Sequence, residues 1–218
     1  IGTLHHLYFS GTPTVALALG SVFSALEVVP LCLMGYEAWD HIRVSRAAPW
    51  VRDYRWPIMF FVSVAFWNMI GAGLFGFMIN PPIALYYMQG LNTTPLHGHA
   101  ALFGVYGMLG IGLMLFCLRA ATAGQRWKDG IIGAAFWGMN GGLMAMCVLS
   151  LLPVGLLQTI ASVDKGYWYA RSPEFLQTPL MTALRWMRVP GDTVFALGAI
   201  ALVVFILGLA TGHSYAEE

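Results

Sequence analysis

The chain has 218 residues, of which 58% are hydrophobic and only 10% charged, with a mean hydropathy of +0.69. A soluble domain carries roughly 25% charge, so a soluble enzyme and a secreted disulfide scaffold are both excluded. The formal charge of +1 leaves no basic field that would recruit nucleic acid. What remains is an all-α membrane protein.

A stretch of about 20 apolar residues crosses a bilayer, and five such stretches occur, at residues 14–36, 57–79, 96–118, 130–157 and 193–211. Ahead of them the chain opens without an initiator Met or signal peptide, and its first ten residues read as the end of an earlier helix. The expectation is therefore five full transmembrane helices plus the end of a preceding one. They form a single transmembrane domain, 1–218, that is the carboxy-terminal fragment of a longer polypeptide.

The opening helix carries His5 and His6, adjacent and hence about 100° apart, so both imidazoles can turn towards one metal. Zinc, copper or non-haem iron would each accept such ligands. Ser10-Gly11-Thr12-Pro13 stops that helix and starts the first span, with Pro placed where a first turn allows it. Glu27 is the acid inside a span, three residues before Pro30, and a carboxylate there should be protonated, paired or part of a proton route. Asn80-Pro81-Pro82 ends the second span. The third span opens with His97-Gly98-His99, and residues two apart point about 200° away from each other. One helix thus presents imidazoles to opposite sides, which suits two separate cofactors, and Gly98 leaves room for a bulky planar group. Haem iron takes such a ligand.

Residues 158–187, with Tyr167-Trp168-Tyr169, read as an outer loop with interfacial aromatics and a short surface helix. Arg185 and Arg188 are three apart and so are expected on one helical face. Asp192 follows Pro190-Gly191 and is expected as the N-cap of the final span. Cys32, Cys117 and Cys147 are odd in number and read as buried small hydrophobes. Asn68 and Asn140 read as interhelical hydrogen-bonding groups, Gly71, Gly73, Gly104, Gly107, Gly138, Gly141 and Gly142 as sites of close helix approach. His41 and His213 fall in connections and read as solvated.

Seven Lys and Arg residues (Arg43, Arg46, Arg52, Arg55, Arg119, Arg126 and Lys128) lie on one side of these spans and four on the other, so the first side is assigned to the cytoplasm. His5, His6, His97 and His99 then share one depth, near the outer face.

Adjacent His5-His6 followed about ninety residues later by His97-Gly98-His99 resembles the haem-copper oxidase superfamily. Among its branches the chain looks like nitric oxide reductase, in particular the quinol-dependent type. The supporting stretches are Gly2-Thr3-Leu4-His5-His6-Leu7-Tyr8-Phe9-Ser10-Gly11, Phe23-Ser24-Ala25-Leu26-Glu27-Val28-Val29-Pro30, Ala65-Phe66-Trp67-Asn68-Met69-Ile70-Gly71-Ala72-Gly73 and His97-Gly98-His99-Ala100-Ala101-Leu102-Phe103-Gly104. The resemblance implies the last part of a twelve-helix catalytic subunit in a bacterial inner membrane, active in denitrification. It implies that His5 and His6 bind non-haem iron, His97 a high-spin haem b and His99 a low-spin haem b, with Glu27 close to the iron pair. The remaining metal and haem ligands would come from upstream helices of the same polypeptide. It further implies that quinol is the electron donor, entering beside Asp192, and that Arg185 and Arg188 pair with haem propionates. Nitric oxide, quinol and the lipid bilayer are the implied partners, with a homodimer as an option.

The alternatives are a cytochrome c-fed nitric oxide reductase and a cbb-type terminal oxygen reductase. The latter carries a redox tyrosine three residues after the second His, where this chain has Phe9, with Tyr8 on a different face. A transporter or channel with a metal-stabilised bundle would not account for the opposed directions of His97 and His99.

Overall fold

The computed structural model describes residues 7, 10–45 and 49–216. Five helices are long and apolar enough to cross a membrane: Thr14–His41, Arg55–Ile79, Thr93–Ala121, Asp129–Lys165 and Pro179–Thr211. Among the described residues no β-strand forms, and an isolated bridge pairs Trp127 with Tyr215. Large apolar side chains such as Leu33, Leu113, Ile160 and Val203 are exposed along the spans, as lipid-facing helices require.

The first span is interrupted at Glu27, between Thr14–Leu26 and Val28–Ser45. The cause is Pro30, which has no N–H to offer the carbonyl four residues earlier. In Thr14–Leu26 only Gly20, Ser21 and Ser24 are buried. Asn80 Nδ2 donates to Ser24 Oγ at 2.6 Å, tying this helix to the end of the second span.

The next three spans each contain a π-helical segment: Asn68–Phe75, Leu102–Gly107 and Cys147–Leu151. A π turn accommodates one extra residue and shifts the direction of everything beyond it. The segments of the second and fourth spans pack against Thr93–Ala101, the helix that opens the third span, and Leu102–Gly107 continues it.

Close approach depends on small residues. A Cβ on Gly138 would fall 2.8 Å from Gly198 Cα, and one on Gly142 would fall 2.8 Å from Gly191 O, so the fourth and fifth spans touch backbone to backbone. A Cβ on Gly71 would meet Ala100 Cβ at 2.6 Å, bringing the second and third spans together. Gly141, by contrast, has open space around its Cβ position, and Gly107 meets only Leu102 of its own helix, so neither serves as a contact. Trp67 Nε1 donates to Asn140 Oδ1 at 2.9 Å, joining the second and fourth spans, whereas Asn68 makes no side-chain hydrogen bond among the described residues.

Two boundaries differ from expectation. The fourth span runs on to Lys165 because Gln158, only 3% exposed, is fully engaged inside the bundle. Asn92 donates to its Oε1 from the backbone N (2.9 Å) and from Nδ2 (2.8 Å), while Gln158 Nε2 donates to Ala170 O at 3.1 Å. A buried amide so satisfied does not end a helix. The last span starts before Pro190-Gly191, at Pro179, and after an interruption at Met187 its main segment begins at Arg188. Pro190 sits in the first turn, where backbone N–H groups lack intrahelical partners and a missing one costs nothing. Asp192 therefore lies in the second turn and is not the N-cap; Met187 holds that position without a side-chain bond. Of the cysteines only Cys147 is buried; Cys32 and Cys117 are exposed on apolar outer faces that accept a small hydrophobe. His41 and His213 are exposed.

Candidate functional site

The helix Thr93–Ala101 sends His97 and His99 to different neighbours. His97 Nδ1 lies 2.8 Å from Gly71 O in the π segment of the second span. Its ring rests on Gly76, where an added Cβ would come within 3.1 Å of His97 Cε1. His99 faces the final span: Nδ1 lies 2.7 Å from Pro95 O, and Arg188 Nη2 donates to His99 Nε2 at 2.8 Å. An edge contact with Phe103, centroids 5.4 Å apart, and the Phe103–Phe195 contact at 5.5 Å complete this side.

A carbonyl oxygen only accepts, so both rings carry their proton on Nδ1 and place the lone pair on Nε2. That is the tautomer of a metal-ligating imidazole whose second nitrogen donates to the backbone. The donor set therefore fits axial ligation of haem iron by His97, whereas at His99 the same lone pair is engaged by Arg188 Nη2 and becomes a ligand only when that guanidinium turns away. Between them, a Cβ on Gly98 would touch nothing within 4 Å, so this face of the helix is open to a flat group.

Arg188 is the hub on the His99 side. Its Nε donates to Asp192 Oδ1 and Oδ2 at 3.2 and 3.1 Å while Nη2 holds His99. Arg185 lies in Pro179–Trp186 and Arg188 opens Arg188–Thr211, the two parts of the last span, which is interrupted at Met187. Arg185 Nη1 donates to Leu176 O at 3.1 Å. Both guanidinium groups nevertheless line the same two cavities, of about 460 Å³ with Gln177, Trp186 and Asp192, and about 250 Å³ with Asn92 and Ser150.

Glu27 is exposed at the interruption of the first span and makes no side-chain hydrogen bond or ion pair among the described residues. His5 and His6 lie outside the described residues. Among the described residues no group of three or more His, Cys, Asp or Glu side chains could hold a metal ion. Sequence reasoning missed the Arg188–His99 contact and the buried Gln158. The spacing of four between Arg188 and Asp192 signals their ion pair but carries no sign of the contact with His99, 89 residues away. Gln158 carried no signal beyond its place beside an apolar run.

The family described as cytochrome C and quinol oxidase polypeptide I matches residues 1–194. The chain is also similar to a nitric oxide reductase subunit of Stutzerimonas stutzeri, at 30% identity over 209 residues, covering 92% of this chain and 42% of that protein. The chain thus spans about two fifths of the length of that curated relative.

Proposed function

The chain belongs to the cytochrome c and quinol oxidase polypeptide I family, and from that premise we propose that it forms part of the catalytic subunit of a quinol-dependent nitric oxide reductase. The reaction is the reduction of two nitric oxide molecules, with two electrons and two protons, to nitrous oxide and water. One observation carries the reading: a single helix directs His97 and His99 to opposite neighbours with the same ring nitrogen bound to a carbonyl. Similarity to a protein named as a nitric oxide reductase subunit supports the choice of substrate.

In this reading His97 holds the high-spin haem b, His99 the low-spin haem b, and His5 and His6 the non-haem iron together with upstream ligands. When bound, these groups supply the electron relay and a Lewis-acidic pair of metals at which two nitric oxide molecules are brought together. The chain's own residues do the rest. Gly71 O and Pro95 O fix the two imidazole planes and keep both rings in the ligating tautomer. Arg188, and Arg185 across the shared cavities, offer guanidinium donors that match carboxylates such as haem propionates in bidentate fashion. Glu27, the acid within the first span, would carry a proton for the reaction. Asp192 accepts a hydrogen bond from the quinol hydroxyl and takes its proton as electrons leave.

The test uses the purified full-length enzyme. Two b-type haems, iron without copper, and quinol-driven consumption of nitric oxide are expected. Copper in the preparation with oxygen consumption in place of nitric oxide consumption would overturn the reading, and turnover with reduced cytochrome c but not quinol would reassign the donor.

A further inference from the structure

Four arginines converge at the end of the bundle remote from His97 and His99. Arg52, Arg55, Arg119 and Arg126 line a cavity of about 310 Å³ whose acids are Asp53 and Asp129 and whose walls include Trp56 and Trp127. Asp129 is already engaged: Trp56 Nε1 donates to it at 2.6 Å and Arg55 Nη1 at 3.5 Å. The lining therefore carries four positive charges against two negative ones, one of which is taken.

Arg119 is the unusual member. It is 7% exposed, in the last turn of the third span. Among the described residues its one hydrogen bond runs from Nη1 to Gln125 O, and its guanidinium lies 5.5 Å from the Trp127 ring centroid. Among the described residues no carboxylate pairs with it, and four of its five N–H donors have no acceptor. These N–H groups are not buried without a partner; they open on the cavity, where an anion can accept from them.

The surroundings select the anion. Arg55 opens the second span, Arg119 closes the third and Asp129 opens the fourth, so the cavity lies at the membrane surface, on the side that charge asymmetry assigns to the cytoplasm. The connection that carries Arg126 is held in place by the carboxy-terminal segment, with Lys128 N donating to Ser214 O and Ala216 N to Arg126 O, each at 2.8 Å. A basic pocket between membrane helices at that depth, walled by interfacial tryptophans, matches a lipid phosphate, which guanidinium groups grip bidentately. We propose that this cavity binds the phosphate of an anionic phospholipid headgroup, with Arg119 as its buried anchor and Arg52 and Arg126 as its exposed partners.

The experiment measures thermal melting of the delipidated full-length enzyme with phosphatidylglycerol, phosphatidylcholine or inorganic phosphate added, and counts retained lipids by native mass spectrometry. Phosphatidylglycerol should raise the melting temperature by a few degrees and add a retained lipid, while phosphatidylcholine and inorganic phosphate should do neither. In Arg52→Gln/Arg126→Gln, whose altered side chains are exposed, the rise should fall by at least half with circular dichroism and elution volume unchanged. Arg119→Gln should abolish the rise if it folds; if it does not, the double variant decides. An equal rise in the double variant, or no rise in the parent, overturns the site. A rise produced equally by inorganic phosphate overturns the lipid as occupant.

Discussion

An imidazole that donates Nδ1–H to a carbonyl has its second nitrogen chosen for it, and the direction of that nitrogen then decides what it can hold. His97 and His99 share the tautomer, with Nδ1 against Gly71 O and Pro95 O respectively, but the His99 ring faces the final span, where its Nε2 accepts from Arg188. His97→Ala and His99→Ala should therefore each remove a different haem band from the optical spectrum; loss of the same band in both would refute separate ligation. Asp192→Asn breaks a half-exposed pair with Arg188, and such pairs contribute on the order of 0.5 kcal/mol. Melting should hardly move, whereas quinol-driven turnover should slow with activity from an artificial donor retained. Equal quinol-driven rates in variant and parent would leave Asp192 as no more than the partner of Arg188. Glu27→Gln keeps shape and removes the charge, so nitric oxide turnover should collapse in a protein that still assembles both haems; normal turnover would remove Glu27 from the proton route. The opposed histidines were legible because 200° of helical rotation follows from two residues of spacing. The Arg188 hub was not, because Pro190-Gly191 reads as a helix breaker although Pro is harmless in a first turn.

Spans four and five meet where a glycine of one helix faces the backbone of the other, Gly138 against Gly198 and Gly142 against Phe195 and Gly191. Gly142→Val would force its Cβ to 2.7 Å from Phe195 Cα and 2.8 Å from Gly191 O, and overpacking of this kind costs about 1–3 kcal/mol. The variant should melt earlier or fail to assemble. Gly141→Ala, one residue away with nothing within 4 Å, should stay within about 0.5 kcal/mol of the parent. Equal effects of the two would mean that helix propensity, not contact, governs this stretch. All seven glycines are alike in the sequence; partner geometry separates Gly142 from Gly141. The π segments were equally hidden, since an extra residue per turn leaves no mark on an apolar run without a polar face to show the shift. Hydropathy places the five spans well but not their ends, as the extension past Gln158 to Lys165 shows.

The molecule is polarised. His97, His99, Arg188 and Asp192 lie towards one end of the spans, while Arg52, Arg55, Arg119 and Arg126 gather at the other. In a Cys32→Ser/Cys117→Ser background, Ala123→Cys should react with a membrane-impermeant thiol reagent only from the cytoplasmic side, and Glu174→Cys only from the opposite side. Reversed labelling would invert the orientation drawn from the charge asymmetry. The spans are also unequally held. The first is joined to the rest by the Asn80–Ser24 bond and few buried residues, whereas the last is closed back on the chain at both ends, by Arg188 to His99 and by Ser214 and Ala216 to the connection ahead of the fourth span. The second closure has a consequence for biosynthesis. The loop around Arg126 is made long before its clasp, because residues 214–216 leave the ribosome only after the fourth and fifth spans have been produced. Until then the loop has no backbone partners for Lys128 N or Arg126 O, and the basic cavity lacks a fixed rim. Insertion of the helices and completion of the cytoplasmic surface are thus separate events in time, and the tail supplies the bonds that complete the second.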